Sequence, residues 1–111
     1  VALIRQAVAL RPTEAGFRNN LGNVLLEAGR TAEATEAYEA AARLEPDAAQ
    51  LRNNLGVAWR ALGRFKEAEA NYREAIRLDP AHKEAFDNLG RLLTSQGRAA
   101  EAIACHAKAL T

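Results

Sequence analysis

The sequence predicts an all-α fold, a right-handed solenoid built from antiparallel helical hairpins. The stretch Asn19–Gly22 recurs as Asn53–Gly56 and, with Asp in place of its first Asn, as Asp87–Gly90. Successive copies lie 34 residues apart, and so do the three prolines of the chain, at positions 12, 46 and 80. A repeat of this length with helical patterning indicates a stacked array of helix pairs.

The composition is that of an ordinary globular domain. The chain has 111 residues, of which 49% are apolar and 26% charged, and its formal net charge is +1. This length predicts one domain. Acidic and basic residues alternate without a basic stripe, so nucleic acid is not an expected partner. No stretch of 18 apolar residues occurs, so we expect no membrane span.

The ends and the residue usage suggest an origin. The chain starts at Val1 rather than at a methionine and shows no signal sequence. We therefore expect a piece of a longer protein. The single cysteine cannot form an internal disulfide, which favours a cytoplasmic location. The excess of Arg over Lys is typical of a GC-rich bacterial genome.

The prolines and the glycines at the expected turns divide the chain into one half repeat and three hairpins. We predict seven helices, with the half repeat at 1–12 and repeats at 13–46, 47–80 and 81–111, the last one truncated. Within the first full repeat, Gly29 is expected to end one helix in a left-handed conformation. Thr31 is the expected N-cap of the next helix, which runs to Leu44.

A second set of glycines lies within the first helix of each hairpin, at Gly22, Gly56 and Gly90. A glycine in a helix interior costs roughly 1 kcal/mol relative to alanine. Its recurrence at one position of the repeat predicts a backbone approach too close for a Cβ atom. The expected opposite side of this contact is an alanine of the second helix: Ala34, Ala68 and Ala102.

These residues resemble the tetratricopeptide repeat, whose pattern is W-x2-L-G-x2-Y, then A-x3-F, then P. The Leu-Gly pairs and the closing prolines are in register with it, and the A-x3-aromatic pair is present as Ala34 with Tyr38 and Ala68 with Tyr72. The early aromatic is missing from the first two repeats, and His106 replaces the later one in the third. Within the family, the asparagine before each Leu-Gly pair is most similar to the arrays of O-linked N-acetylglucosamine transferases. That resemblance implies an asparagine ladder that holds the backbone of an extended polypeptide: Asn20, Asn54 and Asn88.

A helical-wheel count also places these asparagines on a polar stripe beside the core side of each first helix. Stacked hairpins that curve with their first helices inside would turn this stripe towards a concave groove. A primary amide both donates and accepts, so it can pair with a peptide group whatever the side chain is. The candidate groove residues are Asn19, Asn20, Asn23, Asn53, Asn54, Arg60, Asp87, Asn88 and Arg91. The alternative is that each asparagine satisfies a group of the neighbouring hairpin and contacts no ligand.

One more specific kind of binding is disfavoured. Some members of the family clamp the C-terminal carboxylate of chaperones with two Lys, one Arg and two Asn. Asn23 and Asn54 match that pattern, but Asn19, Glu84 and Asn88 stand where it requires cations. Without those cations a free carboxylate has no charge-assisted partner.

No catalytic site is expected, because the only nucleophile–base candidates, Cys105 and His106, are adjacent on a helix and point about 100° apart. We also expect no cofactor and no metal site. The predicted function is binding of a protein or peptide partner in the groove. Two alternatives stay open: a substrate-recruiting arm of a larger enzyme such as a glycosyltransferase, and a module that self-associates end to end.

Overall fold

The computed structural model describes residues 14–110, and in that range the chain is helical with short connections and no strand. The six helices are α1 (Glu14–Glu27), α2 (Thr31–Leu44), α3 (Ala49–Ala61), α4 (Phe65–Leu78), α5 (Lys83–Ser95) and α6 (Ala99–Leu110). The all-α prediction is therefore confirmed. The additional helix predicted for residues 1–10, together with the half repeat to which it belongs, lies outside the described residues.

Each hairpin turns at a glycine with a left-handed backbone, as the sequence predicted. The φ angles are 81° at Gly29, 79° at Gly63 and 74° at Gly97. In each turn the residue after the glycine donates its N–H to a carbonyl five residues earlier, as Arg30 does to Leu25 at 2.9 Å. This bond pattern satisfies carbonyls that the helix end leaves free.

The prediction that Thr31 is an N-cap was wrong. Arg30 is the capping residue and makes no side-chain cap bond, while Thr31 is the first residue of α2. The Arg30 guanidinium instead pairs with the Glu33 carboxylate, with Nε and Oε1 2.6 Å apart. Arg64 with Glu67 and Arg98 with Glu101 repeat this pairing across the first turn of α4 and of α6.

The arrangement of the helices gives the molecule an inner and an outer surface. Within each hairpin the two helices pack along their length, and α2 and α4 also pack against the first helix of the next hairpin. The backbones of α1, α3 and α5 approach one another, whereas those of α2, α4 and α6 do not. The first helices are therefore closer together than the second helices, so they form the inside of the curve.

The mid-helix glycines are contacted by aromatic rings, not by the alanines that we predicted. A Cβ atom added at Gly22 or at Gly56 would lie 2.6 Å from the ring of Tyr38 or of Tyr72, respectively. At Gly90 it would lie 2.8 Å from Nε2 of His106. The predicted alanines are buried one helical turn before these rings, and only the Ala68 carbonyl comes close, at 3.3 Å. Each ring thus lies across the glycine of its own hairpin.

Two of the apolar clusters lie at the contacts between successive hairpins. One combines Tyr38 and Ala42 with Leu55 and Ala58, and the next combines Tyr72 with leucines of α5. Trp59 packs against both clusters, and the Arg64 guanidinium lies 5.5 Å from the centre of its ring. Among the described residues no helix is both long and apolar enough to cross a bilayer.

Candidate functional site

Most of the groove residues predicted from the sequence reach the solvent, and they lie on the three inner helices. Asn20, Asn23 and Arg91 are exposed, and Asn19, Asn54, Arg60, Asp87 and Asn88 are partly buried. Asn53 differs from all of them, because its side chain is fully buried. The inner helices therefore carry a row of polar side chains that reach the solvent, except for Asn53, which is buried.

Side-chain amides link successive hairpins along this row. Asn54 Nδ2 donates to Asn19 Oδ1 at 2.8 Å, and Asn88 Nδ2 donates to Asn53 Oδ1 at 3.0 Å. Both bonds join residues 35 positions apart and run in the same direction. Gln50 extends the row, since its Nε2 donates to Asn54 Oδ1 at 2.9 Å. We call these five linked amides, together with Asn20, the amide ladder.

The ladder agrees in part with the structural alternative, because its two asparagine–asparagine bonds each join two hairpins. It leaves hydrogen-bonding capacity unused, however. An amide nitrogen carries two N–H donors, and its oxygen accepts two bonds. Asn54 and Asn88 each use one N–H between hairpins, so each keeps another. Asn20 makes no side-chain hydrogen bond with any residue of the 14–110 range.

Asn53 cannot serve as the direct ligand contact that the sequence suggested. Its side chain is 0% exposed, its Oδ1 receives the Asn88 bond, and its Nδ2 has no partner within the described part of the chain. Asn53 therefore acts through Asn88, by fixing the orientation of that amide.

The third hairpin carries charge where the first two carry amides. Asp87 stands at the position of Asn19 and Asn53, and its carboxylate lies 2.9 Å from Arg91 Nη2 and 3.3 Å from His106 Nδ1. The side chains of Asp87 and His106 remain 37% and 41% exposed. The structure thus brings Asp87 and Arg91 together, as their i,i+4 spacing allows, and adds His106 from α6.

Several contributors escaped the sequence reasoning. Tyr38 Oη donates to Asn23 Oδ1, which joins the two helices of the first hairpin. His82 is the N-cap of α5 and accepts from the Ala85 N–H through Nδ1 at 3.1 Å. Its Nε2 lies 3.0 Å from Gln50 Oε1. The position of His82 two residues after Pro80, just before a helix, was the available signal.

The outer surface carries an ion-pair network that ties the second hairpin to the third. Arg98 contacts Glu69 of α4 through Nη1 at 2.8 Å and Glu101 of α6 through Nη2 at 2.8 Å. The hydrogen bond from Arg98 lowers the pKa of Glu69 more than partial burial raises it. Arg73 joins both carboxylates. These contacts give Arg98 a structural role, since they position the turn of the third hairpin.

No catalytic arrangement forms around the remaining candidates. Burial raises the pKa of the Cys105 thiol, which opposes formation of the nucleophilic thiolate. His106 is engaged with Asp87 on the other side of the helix. Between residues 14 and 110, no group of three or more His, Cys, Asp or Glu side chains is arranged to hold a metal ion.

Comparisons with known proteins agree with the repeat pattern. The profile of the tetratricopeptide repeat matches residues 1–43, 19–83 and 60–110. No curated protein is significantly similar to the chain in sequence.

Solved structures share the fold over most of the chain. The second tetratricopeptide domain of Spaghetti (RPAP3), bound to the HSP90 peptide SRMEEVD, superposes with a TM-score of 0.84 at 26% identity, covering 88% of this chain and 91% of that one. The first such domain of Spaghetti, bound to the same peptide, superposes with a TM-score of 0.84 at 23% sequence identity, covering 87% of this chain and 77% of that one. MamA superposes with a TM-score of 0.83 at 24% sequence identity, covering 91% of this chain and 60% of that one.

Proposed function

Because this chain belongs to the tetratricopeptide repeat family, we propose that it binds an extended polypeptide on the inner surface formed by α1, α3 and α5. The observation that carries the proposal is the amide ladder. It presents amide groups along successive hairpins, and the amides of Asn20, Asn54 and Asn88 reach the solvent and retain unused N–H donors. An extended peptide exposes N–H and C=O groups along its length, so such a row can hold it without reading every side chain.

The similar structure with a bound HSP90 peptide supports a peptide as the ligand class. In our proposal the peptide is not held mainly through a free C-terminal carboxylate. Asn19, Glu84 and Asn88 offer no cation at the three places where a carboxylate clamp needs one. We therefore expect peptides with a blocked C-terminus to bind as well as those with a free one.

The ladder is tested by replacing Asn20, Asn54 and Asn88 together with Ala. A library of twelve-residue peptides, blocked at both ends, supplies the probe, and affinities of the selected peptides are measured by calorimetry. Each lost peptide hydrogen bond weakens binding by about 0.5–1.5 kcal/mol, so the triple variant should bind roughly tenfold more weakly or worse. Circular dichroism checks that the helical content is retained.

Asn71 provides a matched control, because it lies on α4 and its Nδ2 donates within that helix to the Glu67 carbonyl at 2.8 Å. Asn71→Ala should leave peptide affinity unchanged. If the triple variant unfolds, Asn20→Ala alone still tests the proposal, because that amide holds no other described residue. Unchanged affinity in folded Asn20→Ala and in the folded triple variant would contradict the ladder as a binding device.

The chain itself contributes binding and no catalysis in this proposal, which also accommodates a substrate-recruiting arm of a larger enzyme and a cytoplasmic location. End-to-end self-association is the second candidate. It is favoured by large apolar side chains exposed at the two ends of the described solenoid: Phe17 and Val24 of α1, and Ile103 and Leu110 of α6. Sedimentation over a range of protein concentrations separates it from peptide binding.

A further inference from the structure

Tyr38 and Tyr72 occupy equivalent places in the first two hairpins but differ in their hydrogen bonding. Each ring lies across the glycine of its own hairpin and is almost fully buried, with Tyr38 2% and Tyr72 1% exposed. In the first hairpin the Tyr38 hydroxyl donates to Asn23 Oδ1. In the second hairpin Val57 stands at the position of Asn23 and has no acceptor.

The Tyr72 hydroxyl is consequently left without a hydrogen-bond partner among residues 14–110. It is not one of the fully buried unpartnered polar atoms of that range, which are Arg52 Nε and Asn53 Nδ2, so its oxygen is accessible to solvent. The repeat geometry points this hydroxyl at the place next to Val57, on the inner surface of α3. The Tyr72 hydroxyl of the second hairpin is thus an unused donor, whereas the equivalent Tyr38 hydroxyl of the first hairpin is bonded to Asn23.

A cation without an ion-pair partner in the 14–110 range lies one helical turn after Val57. Arg60 follows Val57 by three residues, so the two share a face of α3. Unlike Arg64 or Arg91, Arg60 forms no ion pair with a described carboxylate. Burial raises the pKa of Tyr72, and the charge of Arg60 lowers it by a smaller amount.

Glu84 is the opposing charge in this region. It raises the pKa of Tyr72 less than Arg60 lowers it, and its Oε1 lies 3.4 Å from Gln50 Nε2. Glu84 makes no ion pair with Arg60 in the described range. The guanidinium therefore keeps its donors for another acceptor.

We propose that Tyr72 and Arg60 form a subsite in the middle of the groove for the carboxylate of an Asp or Glu side chain in the bound peptide. This inference rests on the proposed function. A carboxylate accepts several hydrogen bonds, so it can take one from the hydroxyl and others from the guanidinium. It also neutralises the unpaired cation, and charge-assisted bonds of this kind are the stronger ones.

The test measures the preference for acidic residues in the blocked twelve-residue library. Wild-type chain should select Asp or Glu at one position, and changing that residue to Asn or Gln should weaken binding by about tenfold, as expected for a hydrogen bond to a charged group. Tyr72→Phe keeps the ring over Gly56 and removes only the hydroxyl. Tyr72→Phe and Arg60→Gln should each reduce the acid preference several-fold, while melting curves verify the fold.

The chain offers a matched control for each variant. Tyr38→Phe removes a hydroxyl that is already bonded to Asn23, and Arg77→Gln removes an arginine of α4 that pairs with Glu74. Both should retain the acid preference. Peptides that bind without an acid preference, or a preference that survives Tyr72→Phe and Arg60→Gln, would overturn the subsite alone.

Two further outcomes have distinct meanings. If acidic selection appears only with peptides whose C-terminus is free, the subsite binds a terminal carboxylate and the side-chain assignment is wrong. If no peptide is retained by the wild-type chain, the proposed function fails and the subsite fails with it.

Discussion

Asn53→Asp should lower the free energy of unfolding by about 3 kcal/mol or more at neutral pH, because it leaves a charge buried without a partner. Asn53 is fully buried, and its Oδ1 receives a single hydrogen bond, from Asn88. The substitution does remove an unpaired N–H donor, but that gain is smaller than the cost of burying a carboxylate. Urea titration measures the change.

The third hairpin indicates how the stability lost in Asn53→Asp can be restored. It has Asp87 at the equivalent position, where the carboxylate is 37% exposed and contacts Arg91 and His106. Arg91 corresponds to Val57 of the second hairpin. Adding Val57→Arg to Asn53→Asp should therefore restore part of the stability, since it places a guanidinium one turn away. Lowering the pH should also reduce the loss, because a protonated carboxyl is less costly to bury.

Asn19→Asp is the matched control, since Asn19 occupies the same repeat position but is partly exposed. Its Oδ1 accepts from Asn54, and a carboxylate oxygen would accept that bond equally well. We expect a loss of less than about 1 kcal/mol, as for charges that stay in contact with water. Equal losses for the two variants would contradict the burial of Asn53.

Gly56→Ala should destabilise the protein, although alanine is the better helix former. The added Cβ would lie 2.6 Å from Cε1 of Tyr72, whose ring is 1% exposed, and 3.3 Å from the Ala68 carbonyl oxygen. Overpacking of this kind costs about 1–3 kcal/mol, against a gain of up to about 1 kcal/mol in helix propensity. We expect a net loss of about 1–2 kcal/mol in urea or thermal unfolding.

Gly90→Ala adds the same atom at the same position of the next hairpin and should behave differently. Its neighbour is the His106 ring, whose side chain is 41% exposed and can move towards solvent. The propensity gain should then offset the contact, leaving the stability within about 0.5 kcal/mol of wild type. If Gly56→Ala proved as stable as Gly90→Ala, the contact of Tyr72 with Gly56 would not be rigid.

The sequence predicted the fold more accurately than it predicted the contacts between side chains. A repeat reveals the length of the structural unit, but it does not show in which direction each side chain points. The hairpins followed from the 34-residue spacing, and their turns followed from the glycines that recur with it. The partner of each mid-helix glycine did not, because Ala34 and Tyr38 lie on one face of α2 and only coordinates decide which one reaches Gly22. The larger side chain fills the gap.

The site shows the same limit. A helical wheel grouped Asn53 with Asn54, since adjacent residues differ by only about 100°. In the structure, that angle separates the fully buried amide of Asn53 from the partly exposed amide of Asn54. In the sequence, the missing acceptor for Tyr72 appears only as Val57 at the position that Asn23 has in the first hairpin. The structure was needed to interpret this difference, because it shows that Tyr38 donates to Asn23.

The most direct test of the groove follows the side-chain amide resonances of the asparagines by NMR as a library-selected peptide is added. We expect the Nδ2 signals of Asn20, Asn54 and Asn88 to shift with the same apparent affinity, while the Nδ2 signal of Asn71 on α4 stays in place. A peptide that shifts Asn71 and other residues of the second helices, and leaves the three ladder amides unchanged, would contradict binding on the inner surface.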